Sequence, residues 1–351
     1  MWLGRNICKN MLLIRMNRVR LTSVVLLLCL LRLFSFCGRL DDLLGDGSVG
    51  TGQVAIEQVM RIYQESNVSE AFIFFTDPHL LSGENRFTQA TKNKLNSSFK
   101  LVKEIYEKLH MDFCLCGGDW LNQRDTQEMA KEKLLYADKL MKTTFSRYYK
   151  IMGNHDTNYQ GYVSISDDER GDLPRSFVDS EYFMETGSAY YSFEGQKTIF
   201  YILDSGLDWE MAMDEYRWEQ LLWLAEQLLV NNNEHNVIGI HMFYNVDEMT
   251  PMSELLVQLC ETYNEKGVID LGKKTFDYSE TKGKIHLILS GHNHKDSLTY
   301  EGRNNSIPVI RTCNYTINDT QSFDLFLIDY ENELLNIVRV GIGDNRVIRF
   351  N

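Results

Sequence analysis

The 351-residue chain lacks three features that would each have indicated a class of protein. It has no cysteine framework: three of its seven cysteines precede residue 40, and Cys114 and Cys116 fit core positions on one face of a strand. It has no uninterrupted run of about 20 apolar residues, the length that a membrane-spanning helix needs. Its net charge of −13 would repel a phosphate backbone, which disfavours a nucleic-acid scaffold, although a locally positive metal site could still bind one phosphate.

The amino-terminal segment combines basic charge with a short apolar run. Residues 1–20 carry five basic side chains and no acid, and Leu21–Leu31 is apolar until Arg32 interrupts it. This pattern predicts a secretory signal over residues 1–38 and an exported, extracytoplasmic protein. The alternative is an uncleaved membrane anchor through residues 21–37, with Arg32 reaching the interface. We expect a linker over residues 39–52 and one catalytic domain over residues 53–351.

Five short apolar segments each run into a polar cluster. The first is Ala71–His79 (AFIFFTDPH), which predicts a strand that is buried on both faces. It must stop near Asp77, because Pro78 cannot donate to a ladder. The other four segments end at Gly117–Asp119, Gly153–Asp156, His241 and Ser290–His294. The segments between the first three strands have apolar residues at helical spacing, which predicts a βαβαβ sheet. Such sheets place ligands at the carboxyl ends of their strands.

The remaining pattern predicts further elements and two long polar excursions. Helices are expected over Leu95–Leu109, Thr126–Thr144, Trp218–Leu229 and Ser253–Glu265, and strands over Tyr190–Phe193, Thr198–Leu203, Phe323–Asp329, Leu334–Val340 and Arg346–Phe350. The excursions, Thr157–Ser188 and Met242–Lys284, are expected to select the substrate. Candidates to touch it are Tyr159, Tyr162, Arg170 and Tyr244.

Two carboxylates, four imidazoles and one amide at the strand ends suit metal binding: Asp77, His79, Asp119, Asn154, His241, His292 and His294. A single histidine beside a strand is more often a hydrogen-bonded structural residue, which is our interpretation of His110, His235 and His286. Mixed imidazole and carboxylate ligands suit Zn, Mn or Fe. Seven ligands exceed one tetrahedral site, so the pattern indicates two ions that share Asp119, an arrangement suited to phosphoryl transfer.

The ordered set of motifs resembles the calcineurin-like metallophosphoesterase superfamily over about residues 70–350. The motifs are Asp77-x-His79, Gly118-Asp119, Gly153-Asn154-His155-Asp156, His241 and Gly291-His292-x-His294. The resemblance implies an α/β fold, a four-layer αββα sandwich of two mixed sheets flanked by helices. It also implies two divalent or trivalent transition-metal ions (Mn, Fe or Zn).

The resemblance further implies a role for each residue of the site. Asp77, His79 and His294 would hold one ion, Asn154, His241 and His292 the other, and Asp119 would bridge them. His155 would be a general acid outside the metal shell, oriented by Asp156. A hydroxide between the metals would attack phosphorus in line.

Two departures separate the chain from better-known branches of that superfamily. Asn122 stands where purple acid phosphatases have a ligand tyrosine, and Asp156 follows His155 where protein Ser/Thr phosphatases have glutamate. We therefore expect an exported, metal-dependent hydrolase of a small phosphorylated substrate, either a monoester or a diester. The alternative is a catalytically silent member that binds a ligand or a partner, but all seven ligands and His155 are present, which favours activity. The acidic charge and the export signal disfavour a nuclease.

Overall fold

The computed structural model describes residues 49–79, 87–122, 125–158, 172–205, 213–231, 233–317 and 320–350. The signal or anchor predicted over residues 1–38 lies outside these ranges and stays a prediction. The candidate contact residues Tyr159, Tyr162 and Arg170 lie outside them as well. Within the described ranges, no helix has the length and apolar character needed to cross a membrane.

Six strands form the first sheet: β1 (Glu70–Phe75), β2 (Phe113–Cys116), β3 (Tyr148–Lys150), β16 (Phe323–Asp329), β17 (Leu334–Val340) and β18 (Arg346–Arg349). Their order across the sheet is β18-β17-β16-β1-β2-β3. Strands β1, β2 and β3 are parallel, whereas β16 runs antiparallel to β1, and β17 and β18 continue antiparallel. The sheet is therefore mixed, with its longest apolar strands in the centre.

Six more strands form the second sheet: β4 (Tyr191–Glu194), β5 (Thr198–Leu203), β6 (His235–Ile240), β11 (Lys284–Ser290), β12 (Ser297–Glu301) and β13 (Ile307–Arg311). Their order is β12-β13-β11-β6-β5-β4. The four inner strands are parallel, and the two edge strands, β4 and β12, are antiparallel to their neighbours.

The helices and the smaller hairpins complete the architecture. The helices are α1 (Val49–Glu65), α2 (Gln89–Ser98), α3 (Lys100–Leu109), α4 (Gln127–Thr144), α5 (Glu215–Asn231) and α6 (Pro251–Asn264). Three two-stranded hairpins lie outside the main sheets: β7 (Tyr244–Asn245) with β8 (Glu248–Met249), β9 (Val268–Asp270) with β10 (Thr275–Asp277), and β14 (Thr316–Ile317) with β15 (Thr320–Gln321).

Aromatic side chains join the two sheets. The ring of Phe200 in the second sheet lies 5.3 Å from that of Phe72 and 5.0 Å from that of Phe113, both in the first sheet. Phe193 of β4 adds a further edge contact to Phe113 at 5.2 Å. Such pairs contribute roughly 0.5–1.5 kcal/mol beyond the burial of their surface. The predicted fold class, two mixed sheets flanked by helices, is confirmed.

The amino-terminal part of the domain differs from the prediction in two places. Helix α1 was not predicted, and it begins at Val49 inside the expected linker. It includes Gly52, where a Cβ would lie only 2.9 Å from Cδ1 of Leu101, so a larger residue would be crowded there. The single helix expected over Leu95–Leu109 is two helices, α2 and α3, that meet at Phe99. Phe99 is buried and stacks on Trp120 with ring centroids 5.7 Å apart, so tertiary packing sets this junction.

The described second half of the first excursion is packed against the sheets. Tyr182 is buried, and its carbonyl accepts a hydrogen bond from the Lys150 ammonium. Nη1 of Arg175 lies 2.7 Å from Oδ2 of Asp204 at the end of β5. Residues 172–188 therefore form a fixed part of the domain.

Candidate metal centre

The seven predicted metal ligands meet at the carboxyl ends of strands from both sheets. Their donor atoms form two groups, each with all its atoms within 4.8 Å of one another: Asp77, His79 and His294 in the first, Asp119, His241 and His292 in the second. Asn154 joins the second group, because its Oδ1 lies 2.9 Å from Nδ1 of His292. The structure thus places all seven side chains together, in the division that the family resemblance implied. Their role as ligands stays a prediction.

Carboxylate oxygens and imidazole nitrogens face one another across the two groups. Nε2 of His294 lies 3.3 Å from Oδ1 of Asp77, and Nε2 of His241 lies 3.1 Å from Oδ2 of Asp119. Nε2 of His79 is 3.9 Å from Oδ1 of Asp77 and 3.8 Å from Oδ2 of Asp119. The two groups are therefore contiguous, with Asp119 in contact with residues of both.

Backbone carbonyls orient two of the imidazoles. Nδ1 of His79 lies 2.8 Å from the carbonyl oxygen of Leu121, and Nδ1 of His241 lies 2.6 Å from that of Gly117. A hydrogen bond from Nδ1–H to a carbonyl fixes the tautomer and directs Nε2 to a metal, the usual arrangement of histidine ligands.

Each of the two carboxylates, Asp77 and Asp119, accepts hydrogen bonds through one of its two oxygens. Oδ2 of Asp77 accepts from the hydroxyl of Thr76 at 2.7 Å and from the backbone N–H of His292 at 2.9 Å. Oδ1 of Asp119 accepts from the backbone N–H of His155 at 2.8 Å. In both residues the second oxygen is the one that faces the imidazoles.

Five of the seven predicted ligands have a positive φ. The angles are 51° at Asp77, 39° at His79, 63° at Asp119, 71° at His292 and 52° at His294. Residues other than glycine rarely adopt this conformation, which costs on the order of 1–3 kcal/mol each and is concentrated at functional sites. The strained loops therefore mark this edge of the sheets as a functional centre.

Burial and opposite charges determine the protonation of the centre. Burial alone would raise the pKa of Asp119, but the imidazoles of His241, His155 and His79 lower it well below its usual range. Burial would lower the pKa of His241, but Asp119 and Asp77 raise it to about 10. Burial and the charge of His241 lower the pKa of His292 to about 4. A buried cluster of this kind holds positive charge next to its carboxylates.

The donor set fits two transition-metal ions. Nε2 of His79 and Nε2 of His294 lie 3.1 Å apart, and Nε2 of His294 lies 3.3 Å from Oδ1 of Asp77, so these donor atoms are close enough together to bind one ion. Both nitrogens would be satisfied by one ion that also binds Asp77, and His241, His292 and Asn154 beside Asp119 offer a second set of the same chemistry. Mixed nitrogen and oxygen donors suit Zn, Mn and Fe.

Asp156 accepts hydrogen bonds from the backbone on both of its carboxylate oxygens. Its Oδ1 accepts the backbone N–H groups of Trp120 and Leu121 at 2.6 and 3.1 Å, and its Oδ2 accepts those of Asp119 and Gly153 at 2.8 and 3.2 Å. Both carboxylate oxygens are used by these four donors and no hydrogen bond to His155 is present among the described residues, so the orientation of His155 by Asp156 stays a prediction. Asp156 ties the loop after β2 to the loop after β3. Burial and the charge of Asp119 raise its pKa to about 7.

His155 lies at the outer side of the centre. Its Nε2 is 4.0 Å from Oδ2 of Asp119, and 23% of its side chain is exposed. Its ring meets that of His79 edge to face, with centroids 5.0 Å apart. Burial lowers the pKa of His155, and the carboxylates of Asp119 and Asp77 counteract this lowering.

More than half of the chain matches the model of a known protein family. The calcineurin-like phosphoesterase model matches residues 71–296, a span that contains all seven predicted ligands and His155. The chain belongs to the calcineurin-like phosphoesterase family. This confirms the resemblance inferred from the motifs and supports a metal-dependent phosphoesterase.

One solved structure supports the fold. The structure is similar to a dimetal phosphatase from Danio rerio, with a TM-score of 0.55 at 13% identity, over 81% of this chain and 100% of that one. A protein from Thermus thermophilus gives a TM-score of 0.42 at 10% identity, over 78% of this chain and 100% of that one. No curated protein matches the sequence.

Two features beside the centre were not predicted from the sequence. Tyr244, expected to touch a substrate, is buried, and its hydroxyl bonds Glu301 and Thr299. The hairpin that it begins packs against Asn293, the residue between His292 and His294. No residue pattern signals this contact, since it joins segments 47 residues apart.

Proposed function

We propose that this protein hydrolyses phosphoric esters at a two-metal centre. Asp77, His79 and His294 would hold one ion, Asn154, His241 and His292 the other, with Asp119 between them. The observation that carries the proposal is the convergence of these side chains in two adjacent groups on strained loops. Membership of the calcineurin-like phosphoesterase family supports it.

The chemistry divides between the ions and the chain. Two bound ions would polarise the phosphate oxygens and align the ester for in-line displacement. The carbonyls of Leu121 and Gly117 keep His79 and His241 in the tautomer that can bind metal. His155, partly exposed beside Asp119, is positioned to pass a proton to the departing ester oxygen.

The substrate that we propose is a small phosphorylated molecule, either a monoester or a diester. A nucleic acid is disfavoured by the net charge of −13. The competing function is that of a silent family member that binds a ligand without turnover. The complete ligand set and the presence of His155 favour catalysis over that alternative.

Assays of the purified protein with Mn, Zn or Fe against 4-nitrophenyl phosphate and bis(4-nitrophenyl) phosphate test this function. We expect metal-dependent release of nitrophenolate from at least one ester, and loss of that activity in Asp119→Asn. Phosphonate binding without hydrolysis of either ester would favour the silent alternative.

Export is a separate proposal that rests on residues 1–38. Five basic residues precede the apolar run Leu21–Leu31, a pattern typical of a secretory signal. When residues 1–38 are fused to a reporter that is active only outside the cytoplasm, the reporter should be active. A well-expressed but silent fusion would contradict export.

A further inference from the structure

A small hairpin borders the metal centre between two of its ligand segments. Strands β7 and β8 pair Tyr244 with Met249 and Asn245 with Glu248, which leaves Val246 and Asp247 as the two-residue tip. The hairpin begins three residues after His241. The tip is therefore close in sequence to one predicted ligand, and its other contacts bring it close to two more.

Two side chains attach the tip to the loop that carries His292 and His294. Nδ2 of Asn293 donates to the carbonyl of Val246 at 2.6 Å and lies 3.4 Å from that of Tyr244. Nζ of Lys295 lies 2.5 Å from Oδ1 of Asp247. Asn293 lies between the two histidines, so the tip cannot shift without disturbing the backbone that presents them.

The tip holds a valine in a conformation that valine disfavours. Val246 has a φ of 57°, and a β-branched residue at positive φ is an outlier. A two-residue hairpin with a positive φ at its first central position usually has glycine there. Valine at this position costs stability, and the contacts of Asn293 and Lys295 hold it in place.

The valine side chain is largely exposed to solvent. Val246 is 67% exposed, and the side chain of His294, a predicted ligand one residue from Asn293, is 45% exposed. A strained and exposed apolar residue gives no stability to the fold. The carbonyl of Val246 is bonded to Asn293, the residue between His292 and His294, so an exposed apolar group lies on a tip that is attached to the ligand segment.

We propose that Val246 is a specificity-determining residue that contacts the apolar part of the organic group esterified to phosphate. Asn293 is the positioning residue that holds Val246 there. Both roles rest on the proposed ester hydrolysis for the identity of the ligand. The preferred substrate class is then a phosphoric ester with an apolar group next to the ester oxygen, in preference to a short or fully polar one.

Binding of stable phosphonates to the manganese-loaded protein tests the role of Val246. The wild type should bind hexylphosphonate more tightly than methylphosphonate in titration calorimetry. Val246→Thr keeps the β-branched shape and the backbone strain but replaces one methyl group by a hydroxyl. It should reduce that preference about fourfold, the factor expected for one buried methyl-sized group. The matched control is Val230→Thr, a similarly exposed valine (71%) in the last turn of α5, which should keep the preference.

Asn293→Ala tests the positioning role. This substitution should reduce the preference for hexylphosphonate as much as Val246→Thr does. A variant with both substitutions should have little less preference than either single variant, because both changes remove the same contact. Manganese content, measured on the same samples, shows whether the ligand loop is intact. If Asn293→Ala keeps the wild-type preference for hexylphosphonate over methylphosphonate, the positioning role is overturned.

The outcomes for Val246 and for hydrolysis can be told apart. Equal affinity of the wild type for the two phosphonates, or an unchanged preference in Val246→Thr, would overturn the role of Val246. Hydrolysis of both 4-nitrophenyl phosphate and bis(4-nitrophenyl) phosphate by the same samples is measured in parallel. Turnover without a phosphonate preference overturns only the role of Val246, whereas a preference without turnover overturns only the proposed hydrolysis.

Discussion

Replacement of Asp156 by asparagine should destabilise the fold. The carboxylate accepts four backbone N–H groups, two on each oxygen: those of Trp120 and Leu121 on Oδ1, and those of Asp119 and Gly153 on Oδ2. An amide has the same shape, but one of the two oxygens becomes an NH₂ group that faces two N–H donors. Two buried backbone donors then lose their acceptor.

The expected loss follows from those two donors. An unsatisfied buried donor costs about 1–3 kcal/mol, so Asp156→Asn should lower the free energy of unfolding by roughly 2–6 kcal/mol. That is a large part of the roughly 5–15 kcal/mol that holds a typical domain folded. The variant should also bind metal weakly, because the loops that carry Asp119 and Asn154 are no longer tied together.

Urea unfolding of the metal-free protein, followed by circular dichroism, measures this loss at an alkaline pH well above the pKa of about 7, where Asp156 is ionised. The control is Asp270→Asn, where an exposed carboxylate accepts one backbone N–H, from Gly272 at 2.8 Å. The control should change the free energy of unfolding by less than about 0.5 kcal/mol. Wild-type stability in Asp156→Asn, together with a loss of activity, would refute the structural role. It would instead support the predicted role of Asp156 as the residue that orients His155.

Three further predictions concern the metals, the acid and pH. Asp119→Asn should weaken both metal sites; one ion retained at full occupancy, by metal analysis, would contradict its position between them. His155→Ala should keep its metals, lose about 10²–10⁴-fold in rate on alkyl esters and clearly less on nitrophenyl esters; equal losses would exclude proton donation. Burial lowers the pKa of His286 from 6.5 to about 3, and the unfolded chain therefore binds the extra proton between these values. Stability should accordingly fall as pH falls below 6.5, by roughly 2 kcal/mol between pH 7 and pH 5. The variant His286→Leu should flatten this dependence in unfolding curves, and an unchanged slope would exclude His286 as its source.

The strands and the site were predictable because apolar runs and their polar ends are local features. The strands Phe323–Asp329 and Leu334–Val340 have the predicted limits, since the first is buried throughout and the second is mostly buried. The convergence of Asp77 and Asp119 follows from the parallel pairing of β1 with β2, whose carboxyl ends meet at one edge. His241 follows β6 of the second sheet, so its place beside them depends on the packing of the two sheets.

Features that depend on distant parts of the chain were not predictable. The break at Phe99 depends on its stacking against Trp120, and three of the four donors to Asp156 lie more than 30 residues earlier. The positive φ of His292 and the contact of Asn293 with the hairpin arise from tertiary contacts that leave no periodic signal. For these residues, the sequence indicates the chemistry but not the neighbours.

The pairing of β1 with β16 has a consequence for synthesis of the chain. Strand Glu70–Phe75 lies between β2, which follows within about 40 residues, and β16, which begins at Phe323. At about 5–20 residues per second, the ribosome needs roughly 12–50 s to deliver the second partner after the first strand has emerged. Throughout that interval, one edge of a strand that is apolar from Ala71 to Phe75 has no neighbour, and such edges recruit other chains. A chaperone that covers Ala71–Phe75 during translation should therefore increase the yield of folded protein more than one that acts after release.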